Sequence, residues 1–437
     1  MGHGHDHAAV DAAVSVRARR VVTGVAIVLG VLTLAGVAVL WPRHDPHRGL
    51  RSLHAVRDVY EATTIAVHRG PCGSAGGDTS QRCTRIRFRL DQGPDSGQYR
   101  TIEFAQTASA PDVGAGDKVV LNHIEDATRG FDYTYNDRQR RSVLVWLTVL
   151  FGVVVIALGR WRGVAALVAL GASIAVILAF ILPSMLDGNN AQLVAIVGAS
   201  AVAFLALYVS NGLRPLTTVA LLGTLSALAL TVVLATAFTD LAHFTGAQNE
   251  DALLVSIGTS SIDLKSLVLA GMVLGALGAL NDITVTQASA VGELRLHNPT
   301  MSRRKLYRSG LSIGRDHISS TVNTLALAYA GASLPLLMLF TLSAQSLGTV
   351  ANGEVVAVEI VATLVGSIGL VAAVPVSTAL AVLVASDATA PSRPHRRRRG
   401  RRNRRDQEGL AVPPPVEKPD TRPGQDLLAP VEREFWT

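Results

Sequence analysis

Apolar runs of about 20 residues recur along most of the chain, and each run is long enough to cross a membrane as a helix. They cover Val21–Trp41, Val143–Leu158, Val164–Leu182, Ala191–Val209, Leu216–Phe238, Leu264–Leu294, Ile318–Thr341 and Glu354–Ala385. This pattern predicts a polytopic α-helical membrane protein with about eight transmembrane helices. The last seven runs form one membrane domain, residues 143–385.

Residues 44–141 follow a different pattern, in which apolar and polar residues alternate as they do in a half-buried strand. Ile86, Phe88 and Leu90 alternate with arginines, and similar alternation recurs near residues 56–67, 102–104, 118–124 and 131–135. About five short strands are typical of a small all-β domain, either OB-like or a sandwich. We expect it outside the cytoplasm, directly after the first transmembrane helix (residues 21–41).

The two cysteines, Cys72 and Cys83, flank a Gly- and Ser-rich loop inside this β domain. Outside a bacterial inner membrane a disulfide is permitted, and so short a loop closes readily. We expect a structural disulfide, and two free thiols are the alternative.

Composition narrows the class further, because 49% hydrophobic and only 17% charged residues are atypical of a soluble enzyme. The net charge of +7 comes from arginines concentrated in short segments. By the positive-inside rule, these segments place both termini, residues 1–20 and 386–437, in the cytoplasm of a bacterial cell. We expect both to be disordered, and no cleavable signal peptide is evident.

The terminal segments carry two patterns that invite a binding function. His3, His5 and His7 can bind a metal weakly, but a flexible tail with incidental histidines explains them, so we expect no metal site and no cofactor. The arginine-rich tail can contact anionic membrane lipids, and we expect no specific nucleic-acid binding.

Residues 264–294 have an unusual composition, since an apolar, glycine-rich half is followed by a half rich in polar residues. At helical spacing, one stripe contains Gly271, Gly275, Gly278, Asp282, Thr286, Ser289 and Glu293. Small residues allow close helix packing, and a carboxylate in lipid is costly, so we expect this stripe to face neighbouring helices. In the alternative, the helix ends near Leu280 and Asp282 caps it at the surface.

Two later runs carry further polar groups at helical spacing. The candidate path for a solute or ion comprises Asn281, Asp282, Thr286, Ser289, Asp316, Asn323, Thr324, Glu359 and Thr363. The candidate packing residues are Gly271, Gly275, Gly278 and Gly366. For the serines, threonines and asparagines, hydrogen bonding between helices is the alternative role. Glu359 lies near the end of its run, so it can also simply reach water.

Enzyme motifs give little support for catalysis. The GxSxG pattern at residues 310–314 lacks the preceding strand that a nucleophile elbow requires, and P-loop, HExxH and dinucleotide-binding patterns do not occur in the sequence. We therefore do not expect an enzyme.

The stretches GALGALND, SGLSIGRDH, NTLALAY and EIVATLVGSIGL resemble the YibE/F-like family of bacterial multi-pass membrane proteins. The resemblance covers about residues 143–385. It implies an acidic residue after GALGA, here Asp282, and an asparagine in the NTL motif, here Asn323. It also implies a membrane protein with no assigned biochemical role, for which a permease is the usual suggestion.

Our leading hypothesis is a permease or secondary transporter of a small solute or ion, with Asp282 as the ion- or proton-linked carboxylate. The alternative is a non-transporting membrane scaffold whose β domain binds an envelope partner, and an intramembrane enzyme is a third hypothesis. The sequence leaves open the solute, the coupling ion, the direction of movement and the oligomeric state.

Overall fold

A computed structural model describes residues 16–43, 58–72, 82–106, 111–123, 132–247, 263–342 and 346–385. Within these ranges the chain is mostly helical, with one β-sheet inserted after the first helix. The N-terminal histidines and the arginine-rich tail, predicted above to be disordered, lie outside the described residues.

The sheet is an antiparallel half-barrel of five strands in the order β3-β2-β1-β4-β5. The strands are β1 Asp58–Pro71, β2 Arg82–Leu90, β3 Tyr99–Ala105, β4 Lys118–His123 and β5 Tyr133–Arg138. The long central strand β1 pairs with both β2 and β4, and its register shifts between Thr64 and Ala66. The five predicted strands are confirmed. The sandwich alternative is wrong, because the described strands form a single sheet.

Alternation along β2 sorts its side chains between the two faces of the sheet. Ile86, Phe88 and Leu90 are fully buried with Val119 and Leu121, while the intervening arginines are exposed. This burial stabilises each apolar side chain by about 1.5–3 kcal/mol. The predicted disulfide is confirmed, since Cys72 and Cys83 are bonded where β1 ends and β2 begins.

Most of the helices are longer than the apolar runs that predicted them. They are α1 Val16–Val39, α2 Arg141–Gly159, α3 Trp161–Leu186, α4 Ala191–Asn211, α5 Pro215–Leu241, α6 Leu264–His297, α7 Arg303–Ala332, α8 Leu334–Leu342, α9 Leu347–Asn352 and α10 Glu354–Val384. Seven of the described helices are long and apolar enough to cross a membrane, or eight if α7 and α8 count as one bent span.

Helices α5, α6 and α10 pack against one another at the centre of the helical part. Their shared core includes Leu221, Val273, Leu280, Leu370 and Val374. Small residues bring the backbones close: a Cβ added at Gly223 of α5 would lie 3.0 Å from the Cβ of Ser377 on α10. Helix α4 packs on the side of α6, and α7 lies across α6 and α10.

The predicted span Ile318–Thr341 is wrong as one straight helix. Helix α7 bends by 59° into α8 at Ser333. Pro335 explains the break, because proline has no N–H to bond the carbonyl four residues earlier and its ring clashes with that turn. Helix α7 also begins at Arg303, well before the predicted start.

The basic segment after α6 is therefore mostly helix. Only residues 298–302 separate α6 from α7. The Arg295 side chain is almost fully buried and donates to the carbonyl oxygens of Pro299 and Met301, at 3.2 and 2.7 Å. These bonds hold the turn and fix the antiparallel arrangement of α6 and α7.

Candidate functional site

The bend between α7 and α8 opens a cavity of about 230 Å³ against the first turns of α10. Most of its wall is aliphatic, contributed by residues such as Leu336, Leu337 and Ile360. Its polar side chains are Tyr329, Ser333, Glu359 and Thr363. Irregular backbone, such as the break between α7 and α8, is tolerated within a helical bundle where it lines a cavity.

Glu359 supplies the only carboxylate among the described residues that line this cavity. It lies on α10 and is half-buried. Its carboxylate makes no hydrogen bond or ion pair with the described residues, and the Thr363 hydroxyl donates instead to the Glu359 carbonyl oxygen at 2.7 Å. An unpaired carboxylate in mostly apolar surroundings favours binding of a proton or a small cation.

Tyr329 places a phenol in the same cavity, and its position depends on a glycine. A Cβ added at Gly275 of α6 would lie 2.5 Å from the Tyr329 hydroxyl oxygen. Gly366, one turn after Thr363 on α10, similarly admits Leu325 of α7, which would lie 3.3 Å from an added Cβ. Two of the four predicted packing glycines therefore lie at helix contacts that support the cavity.

The other members of the predicted stripe face outward, which corrects the expectation for Asp282. Gly271, Gly278, Asp282 and Ser289 are all exposed, and a Cβ at either glycine would meet no atom within 4 Å. Helix α6 instead buries the stripe that carries its bulky apolar side chains, including Leu277 and Leu280, against α5 and α10. Large side chains bury more apolar area than glycines, so they decide which side packs. Asp282 does not line the Glu359 cavity.

The remaining predicted path residues are not brought together with Glu359, apart from Thr363. Asp316, Asn323 and Thr324 lie on the exposed face of α7, and the Thr324 hydroxyl donates to the Ser320 carbonyl oxygen. Thr286 is partly buried on α6. The structure therefore does not bring Asp282 and Asn323 into one cavity with Glu359.

Asn281 is the one predicted α6 residue with an unsatisfied polar atom in the interior. Its Oδ1 is buried and has no hydrogen-bond partner in the described part of the chain. Such atoms are infrequent in folded proteins, and they mark sites of strain or of an unseen ligand or water.

Sequence reasoning missed the polar groups that join the three central helices. Gln287 of α6 is 1% exposed and donates to the Gly310 carbonyl oxygen and to Thr378 Oγ1, both at 2.7 Å. The hydroxyls of Thr224 and Thr284 lie 2.7 Å apart between α5 and α6. The sequence of α6 does not single out Gln287 and Thr284, because polar residues occur on both sides of this helix.

Comparison with known proteins identifies one family. The family model described as YibE/F-like protein matches residues 147–387, more than half of the chain. This range contains the whole Glu359 cavity and begins within α2, after the half-barrel. No curated protein and no solved structure matches the chain.

Proposed function

The chain belongs to the YibE/F-like family, and we propose that it is a multi-pass membrane permease in which Glu359 binds a proton or a small cation. One observation carries this proposal. A carboxylate that makes no hydrogen bond or ion pair with the described residues lines a mostly aliphatic cavity where α7 bends into α8. Secondary transporters place their substrate and ion sites at such discontinuous helices.

The cost of a charged group in an apolar bundle supports a functional role for Glu359. A carboxylate within a membrane helix is costly, although Glu359 lies in the second turn of α10 and does not bear the full cost of a position at the helix centre. Glu359 is not needed to pack α7 against α10, because small and aliphatic residues such as Gly366 and Leu325 already form that contact. A group that is costly and unpaired is explained by a ligand that it binds transiently.

Membrane insertion and orientation belong to the same proposal. The seven long apolar helices and the bent pair have the length and composition of membrane spans. Arginines at the turn between α2 and α3 and at the turn between α4 and α5 favour a cytoplasmic position for those turns. We therefore place both termini in the cytoplasm of a bacterial cell, with the half-barrel on the opposite side of the inner membrane.

The half-barrel has the strand order of an OB-like barrel that stays open between β3 and β5. We propose that it is an accessory domain. It either covers the outer face of the membrane domain or recruits an envelope partner there. It lies outside the region that the family model matches. The transport step itself is therefore assigned to residues 147–387.

Flux through proteoliposomes tests the proposal. The full-length chain is reconstituted with a pH-sensitive dye inside the vesicles, and a panel of small amines, divalent cations and organic acids is added outside. We expect at least one solute to change the internal pH, Glu359→Gln to abolish that change, and the matched variant Asp282→Asn to retain it. A response lost in Asp282→Asn but kept in Glu359→Gln would contradict the assignment. No response from the unaltered protein would favour a scaffold.

A further inference from the structure

A second cavity, of about 290 Å³, lies where α3 begins, α4 ends and α5 begins. Its wall includes Arg162 of α3, Arg214 in the turn before α5, and Ser289 of α6. It shares no residue with the Glu359 cavity. No aspartate or glutamate lines it in the described part of the chain, and its charged lining residues are the two arginines.

The N-terminus of α5 contributes backbone donors to this cavity. Arg214 is the N-cap residue and makes no side-chain cap, and Pro215 is the first helical residue. The first intrahelical bond comes from the Thr218 N–H, which donates to the Arg214 carbonyl oxygen at 3.0 Å. The N–H groups of Leu216 and Thr217, both cavity-lining residues, have no acceptor among the described residues. Free N–H groups and the helix dipole favour an anion here.

The Thr217 side chain gives an independent indication of a ligand. Thr217 is only 6% exposed and lines the cavity, yet its hydroxyl forms no hydrogen bond within the described structure. The neighbouring Thr218 hydroxyl, by contrast, donates to the Arg214 carbonyl oxygen at 3.0 Å. The Thr217 side chain is thus mostly buried, and its unpaired hydroxyl is available to donate to a ligand in the cavity.

We propose that this cavity binds a phosphate-class anion. The two arginines match the geometry and charge of phosphate oxygens, and the Thr217 hydroxyl and two backbone N–H groups add donors of the kind found in phosphate sites. The phosphate comes either from an anionic lipid headgroup or from a free phosphate compound. This site is separate from the Glu359 site, and the proposal does not depend on transport.

The position of the cavity fits both sources. It lies at helix ends, beside turns that carry Arg162 and Arg214, where lipid headgroups meet the ends of membrane helices. Its volume exceeds that of a single water site many times over, so a phosphate group with part of a glycerol fits within it.

The test measures binding to the full-length protein in two arms. In detergent, inorganic phosphate is titrated by calorimetry. In lipid nanodiscs, retention of phosphatidylglycerol against phosphatidylcholine is measured by native mass spectrometry. The variants are Arg162→Gln and Thr217→Val, and Arg308→Gln is the matched control, because Arg308 is an exposed arginine of α7 outside the cavity.

We expect Arg162→Gln to weaken binding about tenfold or more and Thr217→Val to weaken it less, since loss of a charge-assisted bond costs about 1.5–3 kcal/mol. Arg308→Gln should match the unaltered protein. Saturable binding of inorganic phosphate identifies a soluble source, and selective retention of phosphatidylglycerol identifies a headgroup. If neither probe binds, or if both cavity variants behave like Arg308→Gln, the proposal is overturned.

Discussion

The Gln287 side chain donates a 2.7 Å hydrogen bond to Thr378 Oγ1, and this bond joins the second half of α6 to the second half of α10 across 91 residues of sequence. Both residues are fully or almost fully buried. The same Gln287 amide also bonds the Gly310 carbonyl oxygen of α7. One side chain therefore ties together three helices whose relative positions create the Glu359 cavity.

Replacing Gln287 with leucine should destabilise the helical part. The change removes two buried hydrogen bonds, to the Gly310 carbonyl oxygen and to Thr378 Oγ1, each of which contributes about 0.5–1.5 kcal/mol. Thermal unfolding in detergent measures the effect. Ser312→Ala, on the exposed face of α7, serves as the control and should shift the midpoint little. Equal midpoints for the two variants would show that the Gln287 bonds contribute nothing.

Glycine substitutions should distinguish the buried from the exposed helix faces. A Cβ at Gly314 of α7 would collide with Val374 and lie 2.7 Å from Gln287 Oε1, so Gly314→Ala should cost about 1–3 kcal/mol. At Gly278 the space is open, and Gly278→Ala should stabilise by up to about 1 kcal/mol through helix propensity. Thermal unfolding of both variants measures the difference in stability. If Gly278→Ala lost more stability than Gly314→Ala, α6 would pack through the face that carries Gly278 and Asp282.

The half-barrel should lose stability at alkaline pH through Tyr133. Burial, followed by the Asp95 carboxylate that accepts its hydrogen bond at 3.2 Å, raises the pKa of Tyr133 to about 12. An unfolded tyrosine has a pKa of about 10, so the folded state keeps its proton to higher pH. This contribution is complete below about pH 10 and is lost as the pH rises towards about 12.

Absorbance of tyrosinate during an alkaline titration measures this effect. The Tyr133→Phe variant should lack the ionisation near pH 12, while the control Tyr99→Phe, at an exposed position, should retain it. If Tyr133→Phe instead removes a tyrosine that ionises near pH 10, then its hydroxyl is not held by Asp95 as described.

Reduction of the Cys72–Cys83 disulfide should loosen the half-barrel and leave the helices unaffected. The bridge closes a loop between residues separated by 11 positions, and the chain-entropy model assigns about 3 kcal/mol to a loop of that order. Hydrogen exchange with and without reductant reports on each part of the chain. We expect faster exchange in β1 and β2 and unchanged exchange in α5 and α6. Unchanged exchange in the strands would remove the structural role of the bridge.

The sequence predicted the features that depend on local periodicity. Alternation around Ile86 and Phe88 identified a strand with one buried face, and long apolar runs identified the helices. The bend at Ser333 was also detectable, because Pro335 lies in the middle of an otherwise continuous run. The length of the run Ile318–Thr341 nevertheless favoured a single transmembrane helix.

The packed face of α6 was not predictable from its own sequence. Small and polar residues occur on both sides of this helix, so periodicity does not distinguish the Asp282 stripe from the Gln287 stripe. The choice is made by partners distant in sequence, namely Thr378 and Val374 on α10 and Thr224 on α5. Glu359 was recognised as a candidate, but its cavity depends on the bend and on Tyr329, which its own helix does not reveal.

Reaction with a hydrophobic carbodiimide tests the central claim most directly, because this reagent modifies protonated carboxyl groups in apolar surroundings. The full-length protein is treated in lipid, and modified peptides are quantified by mass spectrometry. We predict modification at Glu359, its loss in Glu359→Gln, and protection as the pH is raised. Modification of Asp282 with Glu359 left unreacted would contradict the assignment of Glu359 as the carboxylate that binds the proton or cation.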